Sequence, residues 1–177
     1  MSRRLVVLGE PVVARPRYVV WELTLACDQP CTHCGSRAGS ARASELTTAE
    51  ALRVVEQLAA EGAEEVVLIG GEAYLHNGFL TITRALRDAG VRPIMTTGGR
   101  GIDEPLARAM AAAGIARVSV SIDGLEATHD LQRAARGSFQ AATQALRHLR
   151  AAGIPTASNI NVNRLNQGEL EGVYEHL

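Results

Sequence analysis

The chain contains 177 residues, 46% of them apolar, with 18 basic and 19 acidic side chains and a formal net charge of −1. This length predicts about one domain, and this composition is typical of globular proteins. The balanced charge gives no reason to expect nucleic acid or an anionic membrane as a partner. The apolar run at residues 5–8 is cut by Gly9 and Pro11, so it is too short for a signal peptide. We therefore expect a cytoplasmic protein with reduced thiols.

Apolar runs rich in Val and Ile alternate with helical patterns along the chain. In chain order the predicted strands lie at residues 19–25, 65–69, 92–96, 116–122 and 155–162, and the predicted helices at 48–61, 79–89, 105–113, 138–152 and 167–177. Thr47 and Glu50 have the spacing of a capping box at the start of the first helix. Four helices are followed by glycine, at Gly62, Gly90, Gly114 and Gly153, which is typical of a left-handed helix end.

Strands that alternate with helices predict right-handed βαβ units and an α/β fold with a parallel sheet. Two architectures fit this pattern, an open doubly wound sheet and part of a β/α barrel. In both, the carboxyl ends of the strands share one face, and ligands bind there. The chemically unusual stretches all begin at predicted strand ends: the cysteine loop, then GGEAYL at residues 70–75, TTGGRG at 96–101, SIDG at 121–124 and NINVNRLN at 159–166. We expect the functional site on that face.

All three cysteines, Cys27, Cys31 and Cys34, lie in the loop after the first predicted strand. Three soft ligands without a fourth suit an iron–sulfur cluster with one iron left open, or a zinc site that another residue completes. His33 or His76 could complete a zinc site, although structural zinc usually takes its ligands as two separated pairs. Inert packing is a third alternative, but packing gives no reason for three cysteines on one loop. The residues alone leave these alternatives open.

Residues near the other strand ends also allow two interpretations. Gly70 and Gly71 alone fit a tight turn from strand to helix. Glu72 follows a buried strand, where a carboxylate needs solvent, a partner or a ligand because leaving it desolvated and unpaired is costly. Asp123 fits a turn as well as a site, since Asp-Gly is a common turn dipeptide, and Arg133 fits a surface charge.

Three motifs in this order resemble the radical S-adenosylmethionine (SAM) superfamily: C-x₃-C-x₂-C after a first strand, Gly-Gly-Glu after a second, and VSVSIDGLEATHDLQRAARGSF at residues 118–139. The last segment is similar to the branch that carries a C-terminal SPASM or twitch extension. The resemblance covers residues 20–166 and implies a partial (β/α)₆ barrel with parallel strands, truncated after the fifth strand. We therefore expect an N-terminal extension at residues 1–18 and an incomplete core domain at residues 19–177.

The resemblance also implies roles for individual residues. Cys27, Cys31 and Cys34 are the implied ligands of a four-iron four-sulfur cluster. The implied SAM contacts are His33 beside the adenine, Gly70, Gly71 and Glu72 at the methionine amino group, Thr97 after the third strand, Ser121 with Asp123 at the ribose, Arg133 at the methionine carboxylate, and Ile160 and Val162 along the adenine.

The activity implied by the resemblance is reductive cleavage of SAM into methionine and a 5′-deoxyadenosyl radical, which abstracts hydrogen from a substrate. Members of the SPASM and twitch branch often modify ribosomally made peptides, so we expect a peptide or protein substrate. We also expect a low-potential electron donor such as flavodoxin or ferredoxin, and neither nucleic acid nor a membrane as a partner. The alternatives are radical modification of a small metabolite and a non-catalytic α/β domain that binds zinc.

Overall fold

Five parallel strands pair in chain order in the computed structural model, which describes residues 15–177. The strands are β1 (Tyr18–Thr24), β2 (Glu65–Gly70), β3 (Arg92–Thr97), β4 (Arg117–Ser121) and β5 (Thr156–Asn159). The helices are α1 (Thr48–Ala60), α2 (Phe79–Asp88), α3 (Glu104–Ala113), α4 (Glu126–Arg133), α5 (Ser138–Ala151) and α6 (Leu170–His176), with a short 3₁₀ turn at Ala73–Leu75. The predicted α/β fold with a parallel sheet is confirmed.

The strand order decides between the two predicted architectures. Each strand pairs with the strand that precedes it, so right-handed crossovers place the connecting helices on one face of the sheet. Leu68, Met95 and Val120 from that face share one apolar core with helix residues such as Ile82 and Leu86. An open parallel sheet with its helices on one face is part of a β/α barrel, and the doubly wound alternative is wrong.

The helix boundaries follow the local signals in the sequence. The Thr47 hydroxyl accepts a hydrogen bond from the Glu50 backbone N–H, and the Glu50 carboxylate accepts one from the Thr47 N–H, so the predicted capping box is present. The four predicted helix-end glycines all have positive φ. These local devices define where each helix stops and therefore where the next strand begins.

β5 and α4 differ most from the prediction, and α6 is shorter than the predicted helix at residues 167–177. β5 is shorter than predicted because side-chain oxygens, rather than a neighbouring strand, accept the backbone N–H groups beyond Asn159. The Asn161 N–H donates to Asp123 Oδ1, and the Asn163 N–H donates to Asn166 Oδ1. Helix α4 was absent from the sequence prediction, and its buried residues, His129 and Gln132, are polar.

No helix within residues 15–177 combines the length and the apolar character needed to cross a membrane. Residues 1–14 lie outside the described part of the chain. The predicted boundary between an N-terminal extension at residues 1–18 and a core domain at residues 19–177 stays a prediction.

Candidate functional site

The cysteine loop is closed by backbone hydrogen bonds just after β1. The Cys27 N–H donates to the Gly39 carbonyl at 3.0 Å, and the Gly39 N–H donates to the Leu25 carbonyl at 2.9 Å. Farther along the loop, both the N–H and the hydroxyl of Thr32 donate to the Gln132 carbonyl of α4 at 2.9 Å. The loop therefore lies across the carboxyl ends of the strands, anchored to β1 at one end and to α4 at the other.

The two glycines after β2 allow the cysteine loop to lie directly against Glu72. The Gly71 N–H donates to the Thr24 carbonyl and the Glu72 N–H to the Ala26 carbonyl, both at 2.8 Å. A Cβ atom on Gly70 would lie 2.1 Å from the Thr24 oxygen, and one on Gly71 would lie 2.1 Å from the Ala26 oxygen. These overlaps exclude any side chain at either position, so the glycines bring Glu72 beside the cysteines.

Each cysteine sulfur receives one N–H group from the protein. The Gln29 backbone donates to Cys27 Sγ and the Ala38 backbone to Cys34 Sγ, each at 3.4 Å. Arg133 Nη1 donates to Cys31 Sγ at 3.6 Å. Burial raises the pKa of the Cys27 and Cys31 thiols, so iron or zinc must displace protons to bind them. The N–H groups then stabilise the resulting thiolates.

The spacing of the three sulfur atoms does not suit a single metal ion. In a tetrahedral zinc site with Zn–S bonds of about 2.3 Å, sulfur ligands lie roughly 3.8 Å apart. Within residues 15–177, a group with all ligand atoms within 4.8 Å of one another is formed by Cys27, Asp28 and Glu72, and not by the three cysteines. The wider spacing agrees with a cluster in which each cysteine binds a different iron.

The two histidines considered for a zinc site have other partners. His76 Nε2 lies 3.1 Å from the Leu46 carbonyl, and its Nδ1 accepts the Gly78 N–H. His33 Nε2 lies 3.1 Å from Asp123 Oδ2. The geometry therefore does not support the zinc alternative.

Glu72 is a buried carboxylate without a cationic partner. Its side chain accepts hydrogen bonds from the Thr97 hydroxyl and, at 2.7 Å, from the Gly98 N–H. No ion pair among the described residues includes Glu72. Burial raises its pKa to about 7, partly offset by these two hydrogen bonds. A carboxylate in this state is suited to bind a cation from outside the chain.

An open cavity of about 340 Å³ lies between the cysteine loop and the strand ends. The predicted site residues that line it are Cys27, Cys31, Cys34, His33, Gly70, Gly71, Glu72, Thr97, Ser121 and Arg133. A neighbouring cavity shares His33, Ser121 and Arg133 with it and adds Asp123 and Ile160. Val162 lies beyond the end of β5, is 55% exposed and lines neither cavity. The structure thus brings together every predicted site residue except Val162.

Asp123 is buried and connects the two sides of the site. Its Oδ1 accepts the Asn161 N–H at 2.9 Å, and its Oδ2 lies 2.6 Å from Arg133 Nη2 and 3.1 Å from His33 Nε2. The Asp123 N–H donates to Nδ1 of buried His129 at 3.0 Å, and burial lowers the pKa of His129 to about 4. These contacts hold His33 and Arg133 in place, and Asp123 also lines the neighbouring cavity beside Ser121.

Two further contacts in the cysteine loop were missed in the sequence. Gln29 is 4% exposed and lines the cavity. Tyr74 donates its hydroxyl hydrogen to Asp28 Oδ2 at 2.9 Å and accepts the Gly101 N–H at 3.0 Å, so it braces the cysteine loop against the loop after β3. The position of Gln29 between two cysteines was an available signal, whereas nothing in the sequence pattern indicated the partners of Tyr74.

Comparisons with known proteins agree with this geometry. The profile of the radical SAM superfamily matches residues 21–177. An AdoMet-dependent heme synthase of Methanosarcina barkeri is 36% identical over 90% of this chain and 46% of its own length. The mycofactocin maturase MftC of Mycobacterium ulcerans is 32% identical over 95% of this chain and 46% of its own length. The chain thus spans less than half the length of these relatives.

Solved structures show the same fold. Streptococcus suis SuiB, bound either to S-adenosylmethionine or to its precursor peptide SuiA, superposes with a TM-score of 0.79 at 15% identity. The superposition covers 91% of this chain and 37% or 36% of SuiB. The profile match spans well over half of the chain. The matched residues include the cysteine loop, the Gly-Gly-Glu turn and all of the open parallel sheet except the start of β1. The chain belongs to the radical SAM superfamily, whose members are enzymes that bind a four-iron four-sulfur cluster and SAM.

Proposed function

We propose that this chain binds a four-iron four-sulfur cluster and SAM at the carboxyl ends of its strands and uses them to generate a 5′-deoxyadenosyl radical. The observation that carries the proposal is the shared cavity, in which three cysteine sulfurs face a buried carboxylate that has no cation of its own. Neither feature alone would be sufficient. Together they provide ligands for three irons and a partner for an ammonium group.

Cys27, Cys31 and Cys34 fit the cluster by their number, spacing and surroundings. They supply three thiolates and leave one iron without a protein ligand, as an iron that binds a cosubstrate requires. The N–H groups of Gln29, Ala38 and Arg133 that contact their sulfurs stabilise negative charge there. These contacts favour the thiolate form that iron binds.

Glu72 and Arg133 are suited to the two charged ends of an amino acid. The Glu72 carboxylate, oriented by Thr97 and Gly98, would hold the methionine ammonium group of SAM. The Arg133 side chain is 11% exposed and lines the same cavity, and its planar guanidinium matches a carboxylate. Ser121 would contact the ribose, and His33 and Ile160 would lie along the adenine.

When bound, the cluster and SAM would supply the redox chemistry, which is one-electron cleavage of SAM to methionine and a 5′-deoxyadenosyl radical for hydrogen abstraction from a substrate. The protein residues bind and orient SAM and keep it at the cysteine loop. Glu72 and Arg133 fix the methionine end, and Asp123 fixes His33 and Arg133 from behind. No described side chain needs to transfer a proton in this step.

We propose a peptide or protein as the substrate, a low-potential flavodoxin or ferredoxin as the electron donor, and the cytoplasm as the location. Similarity to MftC and the shared fold of SuiB, a protein solved with a precursor peptide, support the peptide. The second candidate is a small metabolite, and the 36% identity to a heme synthase favours it. Incubation with precursor peptides and with iron porphyrins, followed by mass spectrometry, separates the two.

The proposed cofactor chemistry is tested by anaerobic reconstitution with iron and sulfide. We expect about four irons per chain, an oxygen-sensitive visible absorption, and 5′-deoxyadenosine after addition of SAM and dithionite. Stoichiometric zinc without iron uptake would contradict the proposal. Iron uptake without 5′-deoxyadenosine would support the cluster but contradict SAM cleavage by this chain.

A further inference from the structure

The side chain of Gln29 lies buried between the first two cysteines without a full set of hydrogen bonds. Its residue is 4% exposed, and its Nε2 is buried without a partner among the described residues. A Cβ atom on Gly98 would lie 2.3 Å from Gln29 Oε1, so the absence of a side chain at Gly98 makes room for the amide. A buried amide nitrogen without an acceptor costs free energy, which indicates that another group completes it.

The side-chain amide of Gln29 contacts the sulfur of Cys31. The Cys31 thiol donates to Gln29 Oε1 at 3.9 Å. A cysteine bound to iron has no S–H to donate, so in the cluster-bound protein this contact would join two acceptors. The oxygen and nitrogen ends of a glutamine amide have nearly the same shape. A half-turn of the amide would therefore place an N–H donor against the sulfur in the same space.

We propose that Gln29 donates a side-chain N–H hydrogen bond to the Cys31 sulfur when the cluster is bound, and that it thereby raises the reduction potential of the cluster. This inference rests on the proposed function. Cys31 would then receive two donors, Gln29 and Arg133, whereas Cys27 and Cys34 each receive one backbone N–H. Reduction adds negative charge to the cluster and its sulfurs, so an N–H donor stabilises the reduced state more than the oxidised state. Gln29 is thus a positioning and tuning residue.

The first test is an anaerobic redox titration of the reconstituted protein, in which the EPR signal of the reduced cluster measures the reduced fraction. At a fixed ambient potential we expect the ratio of reduced to oxidised cluster to fall about tenfold in Gln29→Leu, equivalent to 59 mV for a one-electron couple. Iron content should stay at the wild-type value because Gln29 is not a ligand. The control is Gln57→Leu, the same change at an exposed position of α1, which should leave the ratio unchanged. An unchanged ratio in Gln29→Leu would overturn the inference.

The second test needs no stable Leu variant. Wild-type protein labelled with ¹⁵N in its glutamine side-chain amides is reduced and examined by pulsed EPR. We expect a ¹⁵N coupling to the cluster that disappears in Gln29→Glu, which replaces the NH₂ group by oxygen and keeps the other glutamines labelled. A wild-type spectrum without this coupling would overturn the inference even if Gln29→Leu failed to assemble a cluster. Failure of the wild-type protein itself to take up iron would instead overturn the proposed function.

Discussion

The two sides of the cavity use their polar groups differently. On the side formed by the cysteine loop and the ends of β2 and β3, Glu72 forms no ion pair within residues 15–177, and Gln29 Nε2 and Asp28 Oδ1 are buried without a partner there.

On the side formed by β4, β5 and α4, most polar groups bond to one another. The nitrogens that have no partner there among residues 15–177, His129 Nε2 and Arg133 Nε, belong to side chains that bond through their other nitrogens. Gln132 Nε2 and Asn166 Nδ2 both donate to the Asp123 carbonyl, at 2.8 and 3.1 Å.

This difference separates binding from positioning. Side chains without a partner in the described part of the chain are suited to an external ligand, because burying a polar group unpaired is costly. Groups that satisfy one another hold the fold and orient the few side chains that reach the cavity, here His33 and Arg133. Substitutions on the cysteine side should therefore change ligand binding and leave the fold intact, whereas substitutions on the β4 side should also change stability.

The largest effect is expected from the cysteines. Replacing Cys27, Cys31 or Cys34 individually by Ala removes a thiolate, and the chain has no fourth cysteine to supply another. We expect each variant to lose the visible absorption and most of the iron after anaerobic reconstitution, and to keep the far-UV circular dichroism of the wild type. A variant that retained about four irons per chain would show that the missing cysteine is not a ligand.

The next largest effect tests the positioning side. Arg133→Leu leaves the Asp123 carboxylate buried with one cation fewer, and breaking a buried ion pair in this way typically costs about 3–5 kcal/mol. We expect the free energy of unfolding in urea to fall by roughly that amount. Adding Asp123→Asn should recover part of the loss, because the uncompensated charge is then removed. Additive losses in the double variant would show that the two residues are not coupled.

The sequence predicted the parts of the site that depend on local chemistry. The cysteine spacing and the Gly70-Gly71-Glu72 turn are short motifs that can be recognised one at a time. Backbone hydrogen bonds then join the two segments, which are distant in the chain. Helix limits were predictable for the same reason, since the Thr47 cap lies next to the helix that it defines. βαβ handedness predicted parallel strands but left two strand orders open, and the structure decides between them.

The parts that the sequence did not predict depend on polar contacts between distant segments. Helix α4 buries His129 and Gln132, so its inward face carries no apolar periodicity. The end of β5 is set by Asp123, which lies 38 residues before its partner Asn161. Burial of Gln29 depends on the missing side chain of Gly98, on another loop. A pattern of apolar residues contains no information on such contacts.

A smaller effect is expected from Glu72, on the binding side. Glu72→Gln keeps an oxygen for the Gly98 N–H and places an NH₂ group against the Thr97 hydroxyl, which can accept from it. The change removes the charge that would hold an ammonium group. The loss of a charge-assisted contact costs about 1.5–3 kcal/mol, or roughly one to two decades of SAM affinity. Calorimetry on the cluster-loaded protein should show this loss of SAM affinity with unchanged iron content.

The matched control is Asp103→Asn. Asp103 caps α3, and Asn also caps helices. Equal SAM affinity in Glu72→Gln and wild type would remove Glu72 from the site.

The smallest effect concerns pH and the positioning side. His129 has its pKa lowered to about 4 by burial, from 6.5, so the unfolded chain binds a proton in this range that the folded chain does not. Its contribution to stability is therefore present above about pH 6.5 and is lost as the pH falls towards 4. Protonation of Nδ1 would also remove the acceptor for the Asp123 N–H and place a second cation near Arg133.

The test compares urea unfolding of the wild type with that of His129→Gln, whose amide oxygen can accept the same N–H without titrating. The difference in free energy of unfolding between the wild type and His129→Gln should be constant above pH 7. Below pH 7 the wild type should lose stability relative to the variant, by at most about 1.4 kcal/mol per pH unit. Parallel profiles from pH 8 to 4.5 would mean that His129 does not carry this dependence. A loss of stability at low pH that occurs in the wild type and not in His129→Gln would show that His129, which accepts the Asp123 N–H, causes the acid sensitivity of the β4 side.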